Sequence, residues 1–334
     1  MQYITQLDEF LQVLETIKTE TAVAIDTEFE WTKTYHPIAA LLQIGTAEQC
    51  WLIDLIEIEG YEEALCEFLE NEQIIKILHS CSQDLILFHN ICGAVTRNIF
   101  DSQIACAFLG FQVQAGYAKV IKHFLDIELD KSAQRSDWSK RPLSDKQLTY
   151  ASYDVIYLMQ IYPNLVEQVE AKGFTDALKE ECTKYENDEY YAETPDDELY
   201  RSVKGAGKLK RPQLAIIREL AIWRDLTGQR IDRRPNRVMK DGVLLHLAIN
   251  KITEPTQLHS IKDLHPSAIR RDGSKICRII SKALEIKIDD CPPAFKSRFP
   301  SDAEKAVEER ISQQVQKVAE KREGESQLLI TRGT

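Results

Sequence analysis

Asp26 and Glu28 interrupt an otherwise apolar run, Val23-Ala24-Ile25-Asp26-Thr27-Glu28-Phe29, that reads as a buried strand. Successive strand side chains point to opposite faces, so the two carboxylates emerge on one face, one pleat apart, within reach of a shared cation. Buried charge is tolerated when paired or bound to metal; the plainer alternative is a strand ending at Ile25 with two solvated acids after it. Asp84, behind Ser80 and Ser82 at a helix start, is a third candidate, although the macrodipole favours an acid there by about 0.3–1 kcal/mol in any case. Tyr150 and Asp154 lie four apart and share one face of a long helix, a spacing at which Tyr150, Tyr153 and Tyr157 also suit plain packing.

The elements that must position these residues follow from periodicity. A helix is expected over Thr5–Thr19, then strands at Val23–Phe29, Ala40–Ile44 and Cys50–Leu55, whose short connections predict an antiparallel meander. Tyr61–Glu70 reads as a helix, Ile74–Leu78 as a strand, Gln83–Cys92 as a helix ended by Gly93, and Ile99–Asp101 as a short strand. Helices follow at Gln103–Gly110, Gly116–Phe124, Asp145–Ala171 and Phe174–Lys184. The fold class is therefore α/β, a mixed sheet flanked by helices. Lys179–Glu198, with nine acids, two lysines and no apolar period, reads as an exposed connection. From Pro212 the pattern is all helical, over Leu214–Leu226, Lys240–Ile249, Ser274–Ile286 and, after a Cys291-Pro292-Pro293 break, Ser301–Arg322, with helix starts suggested at the Thr253-Glu254-Pro255 and His265-Pro266-Ser267 turns.

At 334 residues and 43% hydrophobic, the chain can build two domains of the usual ~100–200 residues. Its apolar runs fall short of the ~18 residues a membrane span needs, and its first residues show no secretory signal. Eight cysteines without a Cys-x-x-Cys pair argue for reduced thiols and against a zinc or redox motif. A cytoplasmic monomer without membrane attachment is expected. Net charge is −11, yet residues 201–285 carry 19 Lys and Arg against 8 Asp and Glu, a basic module in an acidic chain and the footprint of a polyanion partner.

Asp26-x-Glu28 in an early strand, Asp84 after a Ser-Cys-Ser-Gln turn and Tyr150-x-x-x-Asp154 in a late helix occur in the order and separation of the three motifs of the DEDD exonucleases. The chain resembles the ribonuclease D family, in the DEDDy branch marked by the tyrosine. The likeness extends through His79-Ser80-Cys81-Ser82-Gln83-Asp84-Leu85, Phe100-Asp101-Ser102-Gln103-Ile104-Ala105, Leu129-Asp130-Lys131-Ser132 and Ser136-Asp137-Trp138-Ser139-Lys140-Arg141-Pro142-Leu143. Leu209–Leu284, with Ile222-Trp223-Arg224, is similar to an HRDC helical bundle, and Ile311–Arg332 to the beginning of a second. The resemblance implies a ribonuclease H-like exonuclease domain over 1–175, a helical acidic linker over 176–208, an HRDC domain over 209–288 and a partial second one over 295–334.

The activity implied is 3′-to-5′ hydrolysis of tRNA precursors and other structured RNAs to nucleoside 5′-monophosphates. Hard oxygen donors suit two Mg²⁺ or Mn²⁺ ions. As the family implies, Asp26 bridges both, Glu28 and Asp154 complete the site beside the nucleophile, and Asp84 serves the other. Four such carboxylates without a cation predict raised pKa values or a loose site. Tyr150, with an ordinary pKa near ~10, is expected to orient the attacking water rather than act as base. Thr27 and Phe29 flank the acids, and Phe29 is expected either to wedge against the terminal base or to be a buried strand aromatic. Trp138 and Arg141 are expected to stack on a base and bind phosphate. Glu30-Trp31-Thr32-Lys33-Thr34-Tyr35-His36 stands where the family usually has arginines, which shifts expected affinity onto the HRDC segment. There Arg224, Arg233, Arg234, Arg237 and Lys240 are the candidate RNA contacts, the alternative being a solvated basic face or one docked on the acidic half. Two other readings of the whole chain are a DNA 3′-to-5′ exonuclease of proofreading or repair type and a non-catalytic RNA-binding scaffold.

Overall fold

A computed structural model describes residues 1–295, 307, 309–314 and 316–317; the second HRDC-like segment expected over 295–334, and most of the helix expected over Ser301–Arg322, lie outside the described residues. The chain divides into two compact units, one of residues 1–30 and 37–192, the other of residues 31–36 and 193–295.

The first unit runs β1 (Gln2–Ile4), α1 (Leu7–Ile17), β2 (Ala22–Glu30), β3 (Ile38–Gly45), β4 (Cys50–Asp54), α2 (Glu62–Glu70), β5 (Ile75–Leu78), α3 (Ser82–Cys92), β6 (Ile99–Asp101), α4 (Ser102–Phe108), α5 (Tyr117–Leu125), α6 (Asp145–Ala171), α7 (Thr175–Thr183) and α8 (Asp188–Tyr191). The sheet order is β1-β4-β3-β2-β5-β6. β2, β3 and β4 form the expected antiparallel meander. β5 and β6 add in parallel because helices carry the chain back across the sheet. β1, parallel to β4, is too short for its alternation to be seen in sequence.

Strand alternation sorts the apolar residues into two layers. Val23, Ile25, Leu42, Ile44 and Ile53 pack with Phe10, Leu65 and Phe88 from the first three helices. Ala22, Ala24, Leu41 and Leu52 pack with Ala151, Val155 and Leu158 of α6. Gly45 lets α6 sit tight on this second face, since a Cβ there would stand 2.9 Å from the Val155 Cβ. A capping box of Ser144 and Gln147 starts α6, and Gly93, at φ 73°, ends α3.

The acidic segment 179–198 is largely exposed, as its composition predicts, and is pinned at only a few points. Cys182 and Tyr185 are buried in the core of the first unit. The Tyr191 hydroxyl donates to the Tyr185 carbonyl at 2.7 Å while its ring stacks on His89. Beyond residue 193, Tyr200, Val203, Ala206 and Leu209 belong to the core of the second unit. A few aromatic and aliphatic anchors, spaced without a helical period, hold a chain whose other side chains are acids.

The second unit contains α9 (Arg211–Arg230), α10 (Pro235–Val238), α11 (Asp241–Asn250) and α12 (Pro266–Leu284), closed over Leu214, Ile217, Leu220, Leu244, Leu247, Ile276 and Ile280. α12 begins at Pro266, the start the His265-Pro266-Ser267 turn suggests, and so extends ahead of Ser274: the His265 ring accepts the Ser267 N–H and Pro266 occupies the first turn. Among the described residues no helix is long and apolar enough to cross a membrane, and all eight cysteines are free thiols.

Candidate active site

β5 pairs with β2 only as far as Ala24 and Ile77, so β2 runs on past the carboxyl end of β5. Asp26 and Glu28 lie on that continuation, opposite Gln43 and Leu41 of β3. The register shifts between Glu28 and Phe29, a bulge of the kind that re-aims side chains and ends regular pairing.

The turn from β5 into α3 delivers Asp84. Ser80 takes a left-handed backbone, φ 62°, and the Asp101 carboxylate holds the turn by accepting the N–H groups of Ser80 at 3.1 Å and Cys81 at 3.0 Å. The same carboxylate caps α4 through the Gln103 N–H at 2.8 Å. His79 bridges the Ser102 hydroxyl at 2.9 Å and the Ala115 carbonyl at 3.0 Å. Asp84 is thereby buried at the first turn of α3, where the Thr27 hydroxyl donates to its carboxylate.

α6 supplies Tyr150 and Asp154 from the opposite side. It is seated by Gly45 against Val155 and tied to α5 by the Tyr117 hydroxyl, shared between the carbonyls of Tyr153 at 2.8 Å and Asp154 at 2.9 Å. Asp101, His79 and Tyr117 were not singled out in the sequence, because caps and backbone ties leave no spacing signature.

Strand, helix start and late helix thus bring Asp26, Glu28, Asp84, Asp154 and Tyr150 to one place, and the acids weigh on one another. Burial raises the Asp26 carboxyl well above its usual range, with Asp154, Asp84 and Glu28 adding repulsion. Glu28 is pushed up to about 9, first by burial and then by Asp154 and Asp84. Burial and Asp84 raise Asp154; burial raises Asp84, partly offset by the Thr27 hydrogen bond. Burial and the charges of Asp154, Glu28 and Asp26 raise the Tyr150 phenol further above its ordinary value. As the side chains stand, no three His, Cys, Asp or Glu groups among the described residues are closed up enough to hold a metal ion. The donor set nonetheless fits hard divalent cations: all its atoms are oxygen, and no basic side chain is among the groups that shift these four acids.

The raised carboxyls carry a pH dependence of defined sign. Between the ordinary carboxylate range near ~4 and about pH 9 the folded protein keeps protons that the unfolded chain has released, so stability without cation falls as pH rises. Thermal melts in chelator should show a lower melting temperature at pH 9 than at pH 6. Glu28→Gln should flatten that fall, and an equally steep fall in the variant would refute the assignment.

The expected substrate contacts fare differently. Trp138 is 2% exposed, its ring 6.1 Å from that of Tyr150, so it backs the tyrosine instead of offering a stacking face. Arg141 is spent on the fold, donating to the buried Asp54, to the Ala40 carbonyl at 2.8 Å and to the Trp138 carbonyl at 2.7 Å. The Thr27 side chain is turned away from solvent onto Asp84. Arg224 is 6% exposed because it lies on the inner face of α9; its Nη1 donates to Asp241 at 2.6 Å and to the Met239 carbonyl at 3.1 Å. Arg234 lies over the Trp31 ring, 4.4 Å from its centroid, and donates to the Trp31 carbonyl. Arg233 and Arg237 are exposed, as is Lys240, which pairs with Asp263 at 3.3 Å. Phe29 is half-buried.

Known proteins resemble this chain along most of its length. Residues 1–170 match the family described as 3′-5′ exonuclease, and residues 213–280 the HRDC domain. Ribonuclease D of Pseudomonas paraeruginosa is 33% identical over 302 residues, 90% of this chain and 80% of that one. Ribonuclease D of Desulfotalea psychrophila is 35% identical over 86% of this chain and 76% of its own. The crystal structure of Escherichia coli RNase D, described as an exoribonuclease involved in structured RNA processing, superposes with a TM-score of 0.90 at 30% identity, covering 99% of this chain and 87% of that one. The catalytic core of RRP6 from Trypanosoma brucei shares the fold, with a TM-score of 0.70 at 22% identity. These relatives favour neither the DNA exonuclease nor the scaffold reading. The chain belongs to the ribonuclease D family and is a 3′-to-5′ exoribonuclease.

Proposed function

We propose that the chain trims the 3′ ends of tRNA precursors and other structured RNAs in the cytoplasm, one nucleoside 5′-monophosphate at a time, with Asp26, Glu28, Asp84 and Asp154 holding two divalent cations, Mg²⁺ or Mn²⁺. The observation that carries this reading is the burden the four crowded acids, Asp84 buried and the others partly so, place on one another, which divalent cations relieve. When bound, the cations supply a nucleophile at neutral pH and charge neutralisation at the scissile phosphate. Asp26, on which the other three acids all act, would be shared by the two cations; Glu28 and Asp154 would serve the nucleophile side, and Asp84, steadied by Thr27, the leaving side. Free thiols throughout suit a reducing compartment.

Tyr150 orients the attacking water through its hydroxyl. Its raised pKa removes it as a base at neutral pH, which leaves positioning. Tyr150→Phe should slow turnover on the order of a hundredfold with RNA and cation affinity nearly unchanged. Equal loss of RNA affinity would exclude the role. The overall reading is tested by comparing degradation of RNA and DNA oligomers with matched 3′ tails in Mg²⁺; faster loss of the DNA would overturn it.

RNA backbone contacts fall to the exposed Arg233, Arg237 and Lys240. The last two, with Arg234 and Asn236, line a cavity of about 690 Å³ in the second unit. Phe29 remains the candidate wedge at the terminal base. Arg233→Gln with Arg237→Gln should flatten the logarithmic salt dependence of RNA binding by roughly 0.7–0.9 for each phosphate no longer neutralised; an unchanged slope would remove both residues from the interface.

A further inference from the structure

Gln43 sits in the middle of β3 with 0% exposure, and neither its Oε1 nor its Nε2 has a hydrogen-bond partner. A carboxamide brings two donors and two acceptor sites, and a buried polar group left without a partner costs the fold its desolvation. Leucine or methionine would fill the same space without that cost. The register says where the amide stands. Gln43 is the direct partner of Asp26 on one side and of Leu52 on the other. Opposed residues of adjacent strands share a face, with Cβ atoms roughly 4.5–5.5 Å apart. Around them on this face, Ala24, Leu41, Leu52, Ala151 and Val155 are apolar. Asp26 is thus the one polar side chain directly opposed to the amide.

We propose that Gln43 is a positioning residue for Asp26: its Nε2–H donates to the Asp26 carboxylate as that acid engages a divalent cation, holding the carboxylate's orientation and leaving its other lone pairs for the ion. The inference rests on the ligand role proposed above for Asp26. It accounts for an amide kept in an apolar layer at a cost to the fold, because an outer donor that orients a ligating carboxylate commonly changes cation affinity or activity by about 10–100-fold.

Gln43→Met keeps the length of the side chain and removes both polar atoms. Mn²⁺ binding to the full chain without RNA can be titrated by electron paramagnetic resonance, beside thermal melting in chelator. The expected result is a Mn²⁺ dissociation constant about tenfold higher, with the melting temperature unchanged or raised because the unpartnered amide has left the core. Unchanged Mn²⁺ affinity overturns the proposal, as does a lower melting temperature with affinity intact, which is the pattern of a purely structural residue. Should the variant not fold, the native protein decides: the Gln43 side-chain amide resonances should shift and gain exchange protection when Mg²⁺ is added, and unmoved resonances reject the role. Asp26→Asn in the same titration separates the two ideas. If it leaves Mn²⁺ binding intact, the ligand reading fails and takes this inference with it; if it abolishes binding while Gln43→Met does not alter it, only the positioning role fails.

Discussion

Asp26→Asn should abolish 3′-end degradation, by about a thousandfold or more, while leaving the protein as stable as before or more so. A thousandfold corresponds to roughly 4 kcal/mol of transition-state stabilisation, the scale expected when charge stabilisation at the phosphate is lost. The stability half comes from the folded state itself. Asp26 is crowded by Asp154, Asp84 and Glu28 in a setting that already penalises its charge, so a neutral amide of the same shape relieves repulsion without opening a cavity. The two halves separate catalysis from folding: single-turnover decay of a 3′-tailed RNA reads the first, and thermal melting in chelator the second. Residual activity within tenfold of the native protein would remove Asp26 from the centre of the site, and a sharply lower melting temperature would make its role structural.

Arg141→Met should destabilise the first unit by about 3–5 kcal/mol, the cost of leaving a buried charge without its partner. Asp54 is 0% exposed. Its carboxylate takes Arg141 Nη2 at 2.6 Å, a second donor from Arg141 Nε, the Tyr3 hydroxyl and the N–H of Ile56 at 3.0 Å. Burial alone would raise this acid, yet Arg141 and Tyr3 hold it below its usual range, so the carboxylate depends on the guanidinium. The loss should reach the site as well, because Arg141 also fastens the segment holding Trp138, on which Tyr150 rests. Denaturant unfolding measures the effect. An unchanged midpoint with weakened RNA binding would restore the phosphate-contact role and remove the structural one.

Legibility in the chain followed the range of the interaction. The strand carrying Asp26 and Glu28, the turn before Asp84 and the face shared by Tyr150 and Asp154 were readable because each depends on residues at most four apart, where periodicity of two or 3.6 leaves a mark. α6 emerges over Asp145–Ala171 as expected. Arg141, Trp138 and Arg224 take places in the fold that the sequence did not signal, for the opposite reason. An arginine that meets RNA and one that neutralises Asp54 or Asp241 have the same local signature, and only the partner's position in space tells them apart. In the segment 179–198 the charge made the exposure readable and hid the few side chains that anchor it.

The sequence by itself determined the order of the longer elements, the acidic and tyrosine motifs and the family they resemble, since local pattern and motif spacing are written along the chain. Only the tertiary structure decided that β5 stops short of Asp26, that Gly45 seats α6, that Thr27 turns to Asp84 and that Gln43 stands unpartnered beside Asp26. Each of these depends on residues far apart in sequence meeting across a sheet or a helix contact, where burial changes what the same side chain does: it turns an acid into a group that keeps its proton and an arginine into part of the core.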